Sequence, residues 1–144
     1  MSDAEFPGIG ELMPHDGPMR LLSRVLGHSP ESTRCELAVA ASALFRDDAG
    51  AVPAWVALEW MAQCIAAHGG LVALAAGRKP PSGVLVGARS LALTKTTFGC
   101  SDSLTVSARF LGASGALVSF ACEVEEQGRV VVHGVLSVFV VEER

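Results

Sequence analysis

Charge is scarce in this 144-residue chain: Lys, Arg, Asp and Glu make up 18% of it, and the net charge is −4. There is no basic excess to form the face that a general nucleic-acid binder needs, so that class is excluded. The four cysteines, at 35, 64, 100 and 122, include no C-x-x-C pair, and no His-x-x-x-His motif accompanies them. A zinc site is therefore not expected. Cys35, Cys64 and Cys122 lie within apolar patterns and read as small core residues. The opening Met-Ser-Asp-Ala-Glu-Phe has neither a basic n-region nor an apolar h-region, which points to a reducing, cytoplasmic setting. No repeat, linker or low-complexity segment breaks the chain, and the length suits one domain over 1–144.

What is abundant is apolar side chain, at half of all residues with mean hydropathy +0.42. So little charge to cover so much apolar surface implies a buried subunit interface, in a homodimer, a heterodimer or a higher even oligomer. From Trp60 to Gly77 no charged residue occurs. That run approaches the length of a membrane span, but Gln63, His68, Gly69 and Gly70 interrupt it and Glu59 stands at its start. A helix enclosed by protein, with no membrane span, is the reading adopted. Pro53 suits a first helical turn, Gly77 a C-terminal stop, and Arg78-Lys79 the negative helix end. The helix should run from Pro53 to about Ala76, roughly 36 Å. Gly69-Gly70 inside it suggests close approach of another backbone.

The remaining pattern is mostly strand. Residues 20–27 read as strand or helix. Thr33–Ala40 alternates Cys35, Leu37, Val39 against Arg34, Glu36, Ala38, and closes a hairpin across the His28-Ser-Pro-Glu-Ser turn. Single turns of helix are expected near Ile9–Met13 and Ser42–Arg46. After Pro80-Pro81, four strands are expected at Val84–Leu93, Ser103–Leu111, Ala116–Glu125 and Arg129–Val141, with Leu104, Val106, Ala108 and Phe110 sharing one face. A long apolar helix followed by strands predicts an α+β fold, the sheet curled round the helix and a second subunit closing the open side.

Two motifs carry a resemblance. Pro14-His15-Asp16-Gly17-Pro18 leads into an apolar strand with an Arg, and Pro53, Glu59, Ala62 and Gln63 match a Pro-Gly-x-x-x-x-Glu-x-x-Ala-Gln helix start. Together with the element order, these resemble the hotdog-fold β-hydroxyacyl-acyl carrier protein dehydratases, and within them the dehydratase-like proteins of aryl polyene gene clusters. The likeness covers about residues 12–141. It implies a dimeric hotdog fold, no cofactor, and a phosphopantetheine-linked acyl chain delivered by an acidic acyl carrier protein. One departure matters. The family's catalytic His lies fourteen residues before the helix Glu; here that position is Phe45, and no His occurs between His28 and His68.

Dehydration of a 3-hydroxyacyl thioester needs a base for the α-proton, an acid for the hydroxyl, and donors for the thioester oxygen. Glu59 is the expected acid, because a carboxylate in an oily segment is costly unless it has a partner or a task. Gln63 shares its helical face and would hold Glu59 or bind substrate. The helix start around Pro53, Ala54 and Trp55 would offer N–H groups. His15 is the first candidate base, against a structural role locking its loop. Asp47 and Asp48 come next, against solvated loop charge. His68, nine residues past Glu59, should face away from it; His28, placed in a turn, and His133, in a strand, read as structural or exposed. Trp55 and Trp60 read equally as packing, and Phe45 as a plug where the catalytic His would sit. Leu85, Val86 and Leu91 would help line an acyl tunnel. Arg78, Lys79, Arg89 and Lys95 would receive the carrier protein, or merely solubilise the surface. Three functions stay open: a dehydratase giving the trans-2-enoyl thioester, an acyl thioesterase, and a non-catalytic subunit that pairs with a His-bearing paralogue.

Overall fold

The computed structural model describes residues 6–13, 17–99 and 102–141. A short helix α1 (Ile9–Leu12) and a 3-10 turn (Gly17–Met19) precede the hairpin of β1 (Arg24–Ser29) and β2 (Ser32–Ala38). A 3-10 segment (Val39–Phe45) and a two-residue strand β3 (Val52–Pro53) lead through one 3-10 turn (Ala54–Val56) into the long helix α2 (Ala57–Ala75). Then come β4 (Ser82–Leu93), the short β5 (Thr97–Phe98), β6 (Ser103–Ser114), β7 (Leu117–Glu126) and β8 (Arg129–Val141). The large sheet is antiparallel throughout, in the order β1-β2-β6-β7-β8-β4. It wraps α2, as the hotdog resemblance implies.

Alternation on the strands builds the inner face. Leu104, Val106 and Ala108 of β6, Phe120, Cys122 and Val124 of β7, and Val132, Leu136 and Val138 of β8 are buried against the helix side, with Cys35 and Leu37 of β2. Burial on α2 extends almost all round: Trp60, Met61, Gln63, Cys64, Ala67, Gly70 and Leu71 are all covered. The segment Ala54–Ala75 is long and apolar enough to cross a membrane, yet 67% of its most apolar window is buried inside the fold. It is the core helix of a wrapped sheet.

The ends of α2 show what local chemistry set. At the C-terminus Gly77 takes φ +71 and its N–H meets the Leu74 carbonyl at 3.0 Å, while the Arg78 N–H meets the Ala73 carbonyl at 2.8 Å. This is a Schellman stop, as the Gly predicted. The start differs from expectation. Pro53 is not in the first turn of α2; it pairs with Thr97 in a two-residue ladder, and the Ala54 N–H donates to the Thr96 carbonyl at 2.8 Å. The helix proper begins at Ala57, so Glu59 sits in its first turn rather than two turns in. A ladder of two residues is too short to leave a period-two signal, which is why the sequence pattern ran the helix back to the proline.

Of the glycine pair, one is required by packing. A Cβ on Gly70 would fall 2.4 Å from the Leu12 carbonyl oxygen, so α1 rests its backbone directly on α2 there. Gly69 meets only the Pro81 ring, at an ordinary 3.8 Å. β4 stands at the sheet edge with Val84, Leu85, Val86, Leu91 and Leu93 exposed.

Candidate functional site

A groove of about 440 Å³ runs along α2 between the helix and the sheet. Glu59, Ala62, Ala66, Gly69 and Ala73 form its helix wall; their short side chains beyond Glu59 leave the space open. Ile65, His68 and Val72 form the adjoining stripe, and Leu85, Phe110, Val118, Phe120, Val138 and Val140 the sheet side. Arg78, Pro81, Ser82 and Gly83 also border it. Of the three residues expected to line an acyl tunnel, Leu85 does so; Val86 and Leu91 do not: both fall where the β4–β8 ladder loses its regular register, and Leu91 lies over Gly134 of β8.

Gln63 organises the Glu59 end. Its amide is fully buried behind the groove wall. Nε2 donates to the Met19 carbonyl at 2.7 Å and to Glu59 Oε1 at 3.1 Å, while Oε1 accepts the Leu21 N–H at 2.9 Å. One side chain thus ties the N-terminal segment to the helix and aims the carboxylate. With these bonds made, it has little capacity left for substrate.

The helix start is crowded. Ala54 and Trp55 border a second, more open depression of about 690 Å³ with Leu93, Thr94, Lys95, Thr96 and Thr97. Phe45 packs edge-on to Trp55, ring centres 6.1 Å apart, and is half-buried against the core. The Trp60 indole N–H donates to Ser42 Oγ at 2.9 Å, which pins the 3-10 segment that presents Phe45. Two N–H groups of the Ala51–Trp55 turn are already committed: Ala51 to Asp47 Oδ1 at 2.9 Å and Ala54 to Thr96.

The other sequence candidates separate. His15 lies outside the described residues, as does Cys100. Asp47 caps its own loop through Ala49 and Ala51, and Asp48 is exposed. Lys95 reaches Glu126 at 3.0 Å and sits 4.8 Å from the centre of the Phe98 ring, whereas Arg78, Lys79 and Arg89 are exposed. His133 is exposed on β8.

Two expectations need correction. His28 lies in strand β1, not in a turn, because the hairpin turns later, at Pro30-Glu31. His68 does not face away from the groove. It is 5% exposed and lines the same groove as Glu59, which is wide enough to be bordered by two adjacent helix stripes. Its Nδ1 lies 2.8 Å from Thr33 Oγ1, and His28 Nδ1 lies 2.8 Å from the same oxygen. Burial lowers the pKa of both imidazoles; for His68 the neighbouring His28 lowers it further, against raising contributions from the Pro30 backbone and Glu31. Sequence reasoning passed over Thr33, although it shares parity with Cys35 and Leu37. A polar residue on the buried side of an alternating strand was the available signal.

Cys35, Cys64 and Cys122 are buried as free thiols. Burial pushes the Cys122 thiol up to about 12, and Cys64, hydrogen-bonded to Cys35 across 4.0 Å, is raised well above its ordinary value. Among the described residues no cluster of three or more His, Cys, Asp or Glu is placed to hold a metal ion.

A family model described as ApeP-like, ApeP dehydratase, matches residues 7–144. Among solved structures, the dehydratase heterocomplex ApeI:P from Xenorhabdus doucetiae aligns at TM-score 0.91 and 25% identity, covering 96% of this chain and 94% of that one. A hypothetical thioesterase bound to coenzyme A from Streptococcus pneumoniae aligns at TM-score 0.61 and 20% identity, over 84% of this chain and 87% of that one. AziG from S. sahachiroi aligns at 0.62 and 16%, over 87% and 94%. The last two share the fold alone. No curated protein matches the chain.

Proposed function

Because the chain belongs to the ApeP-like dehydratase family, we propose that it acts in the elimination of water from a 3-hydroxyacyl thioester carried on acyl carrier protein, as the Glu59-bearing half of a hotdog dimer. The base removes the proton from C2. The electron pair becomes the C2–C3 double bond, and the C3 hydroxyl leaves as water with a proton from Glu59. N–H groups from Trp55 onward, at the start of α2, are the candidates to hold the thioester oxygen. The groove takes the acyl chain, and the exposed cations Arg78, Lys79 and Arg89 meet the acidic carrier.

One observation carries this reading: Glu59 opens onto an apolar groove with its carboxylate aimed by a buried amide, while Phe45 fills the position where the family has its histidine. A partner that keeps that histidine would complete the site across the subunit seam. The Xenorhabdus relative is itself a heterocomplex, which supports a heterodimer here over a homodimer. His15 is the base this chain would supply from its own sequence.

The test is reconstitution. The chain is purified alone and with a His-bearing dehydratase subunit, then given 3-hydroxyacyl-carrier substrate, and the enoyl product is followed by mass spectrometry. Turnover by the complex and not by the chain alone is expected, lost in Glu59→Ala and kept in His15→Ala. Loss in His15→Ala assigns the base to this chain. A complex unaffected by Glu59→Ala overturns the reading.

A further inference from the structure

The outer face of the sheet, turned away from α2 and the groove, is unlike a solvent face. On an antiparallel sheet packed on one side only, outward positions are expected to be polar. Here β7 and β8 point Leu117, Ser119, Ala121, Val135, Ser137 and Phe139 outward, between neighbours that are buried or line the groove. Leu117 and Val84 both pair with Phe139, and the three are 40%, 57% and 47% exposed. They form one bulky apolar row across three strands. The next outward row is low: Gly112, Ser119, Ser137 and Gly87 pair in turn across β6, β7, β8 and β4. The third, Arg109, Ala121, Val135 and Arg89, is short and apolar at its centre with a cation at each end. No acid stands in these three rows; Glu123, paired with His133, opens the fourth.

The fold itself does not require so flat and apolar a face. A Cβ on Gly87 or Gly112 would meet nothing within 4 Å, and neither residue takes a positive φ. Glycine inside a strand weakens it and marks a place where another backbone comes close. The Ser119 and Ser137 hydroxyls lie 3.2 Å apart and bond each other, so covering them leaves little hydrogen-bonding capacity unmet. The rows are also complementary to themselves. A second copy, turned end for end about an axis across the strands over the Gly-Ser row, sets Leu117 over Ala121, Phe139 over Val135 and Val84 over the aliphatic stem of Arg89. It receives the same three contacts in return, as a two-fold interface demands. Tall side chains meet short ones, and the low row between lets the sheets approach. Four strands about 4.8 Å apart, over the span from Leu117 to Glu125 at about 3.4 Å per residue, make a face of about 500 Å². Two copies bury about 1,000 Å² between them, which reaches the lower bound of a specific contact. The β4 edge stays open beside it, so this contact does not compete with the seam toward a His-bearing subunit.

We propose that the outer face of β6, β7, β8 and β4 holds a second copy of this chain, back to back, with the two grooves facing away from each other. The contact is independent of the chemistry at Glu59. The test counts copies of this chain per particle by native mass spectrometry and sedimentation, on the full chain alone and with a His-bearing dehydratase subunit. An even number is expected in both preparations. Phe139→Glu and Leu117→Glu each place a charge on the bulky row from an exposed position, and each should halve the count while the far-UV circular dichroism stays native. Two variants are used so that one decides if the other does not fold. A single copy per wild-type particle leaves the face to some other partner and overturns the proposal. So does a count that a folded variant leaves unchanged. Turnover is not read in this experiment, so failure of the dehydratase reading leaves the contact standing, and failure of the contact leaves that reading standing.

Discussion

Glu59 and Gln63 illustrate how one helical turn separates chemistry from positioning. Glu59→Gln removes a transferable proton but keeps shape and hydrogen-bonding reach, so turnover by the complex should fall by about 10²–10⁴-fold with little change in melting temperature. Gln63→Leu acts differently. It leaves the Leu21 N–H without its buried partner, and it should cost about 1–3 kcal/mol, read by urea unfolding, as well as lowering activity through a loosened Glu59. The imidazoles make stability depend on pH. Burial depresses both His28 and His68, so the unfolded chain takes up protons before the folded one does as pH falls below about 6.5. Their contribution is complete above that value and is lost as pH drops through the folded values; Glu31, nearby, opposes the effect. Melting temperature should therefore decline on acidification from pH 7, and less steeply in His68→Asn. An unchanged slope in that variant rules out His68 as a source.

At the scale of elements, α2 is held by contacts that its own sequence does not announce. Gly70 accepts the backbone of α1, so Gly70→Ala should destabilise by about 1–3 kcal/mol. Gly69→Ala, next to it, meets only ordinary contact and gains helix propensity. It should be neutral or mildly stabilising in the same unfolding assay, although it narrows the groove. The pair was legible as a site of close approach; which of the two faces the backbone was not, because that depends on where α1 lands. The strands were legible nearly throughout. Arg129–Val141 has the bounds the pattern gave, and the inward rows of β6, β7 and β8 alternate except where irregularities intervene, as at Val131-Val132, which are both buried. The β3–β5 ladder was missed, and with it the helix start, because pairing of Val52 with Phe98 and Pro53 with Thr97, far apart in the chain, leaves no local mark.

For the whole molecule, the open edge decides most. β4 offers twelve residues without a proline, mostly apolar and mostly exposed, next to the open side of the groove. An uncovered edge of that kind is a template for pairing with another chain. Val86→Lys should weaken association of the chain with its partner subunit, seen as a shift toward monomer in analytical ultracentrifugation, while the far-UV circular dichroism of the monomer stays unchanged. Assembly that is indifferent to that charge would place the interface elsewhere.

The sequence by itself determined the layout and one end of the site. Hydrophobic periodicity is local and survives in any one-dimensional reading, so hairpin, helix and four strands were visible, as were Glu59, Gln63 and the histidine missing at Phe45. The tertiary structure decided what meets what. It spent Gln63 on Met19 and Leu21, committed Lys95 to Glu126, and joined Thr33 and His28 to His68, which borders the groove. These are contacts between residues distant in the chain, set by how the sheet curls round the helix, and no spacing rule along the sequence encodes them.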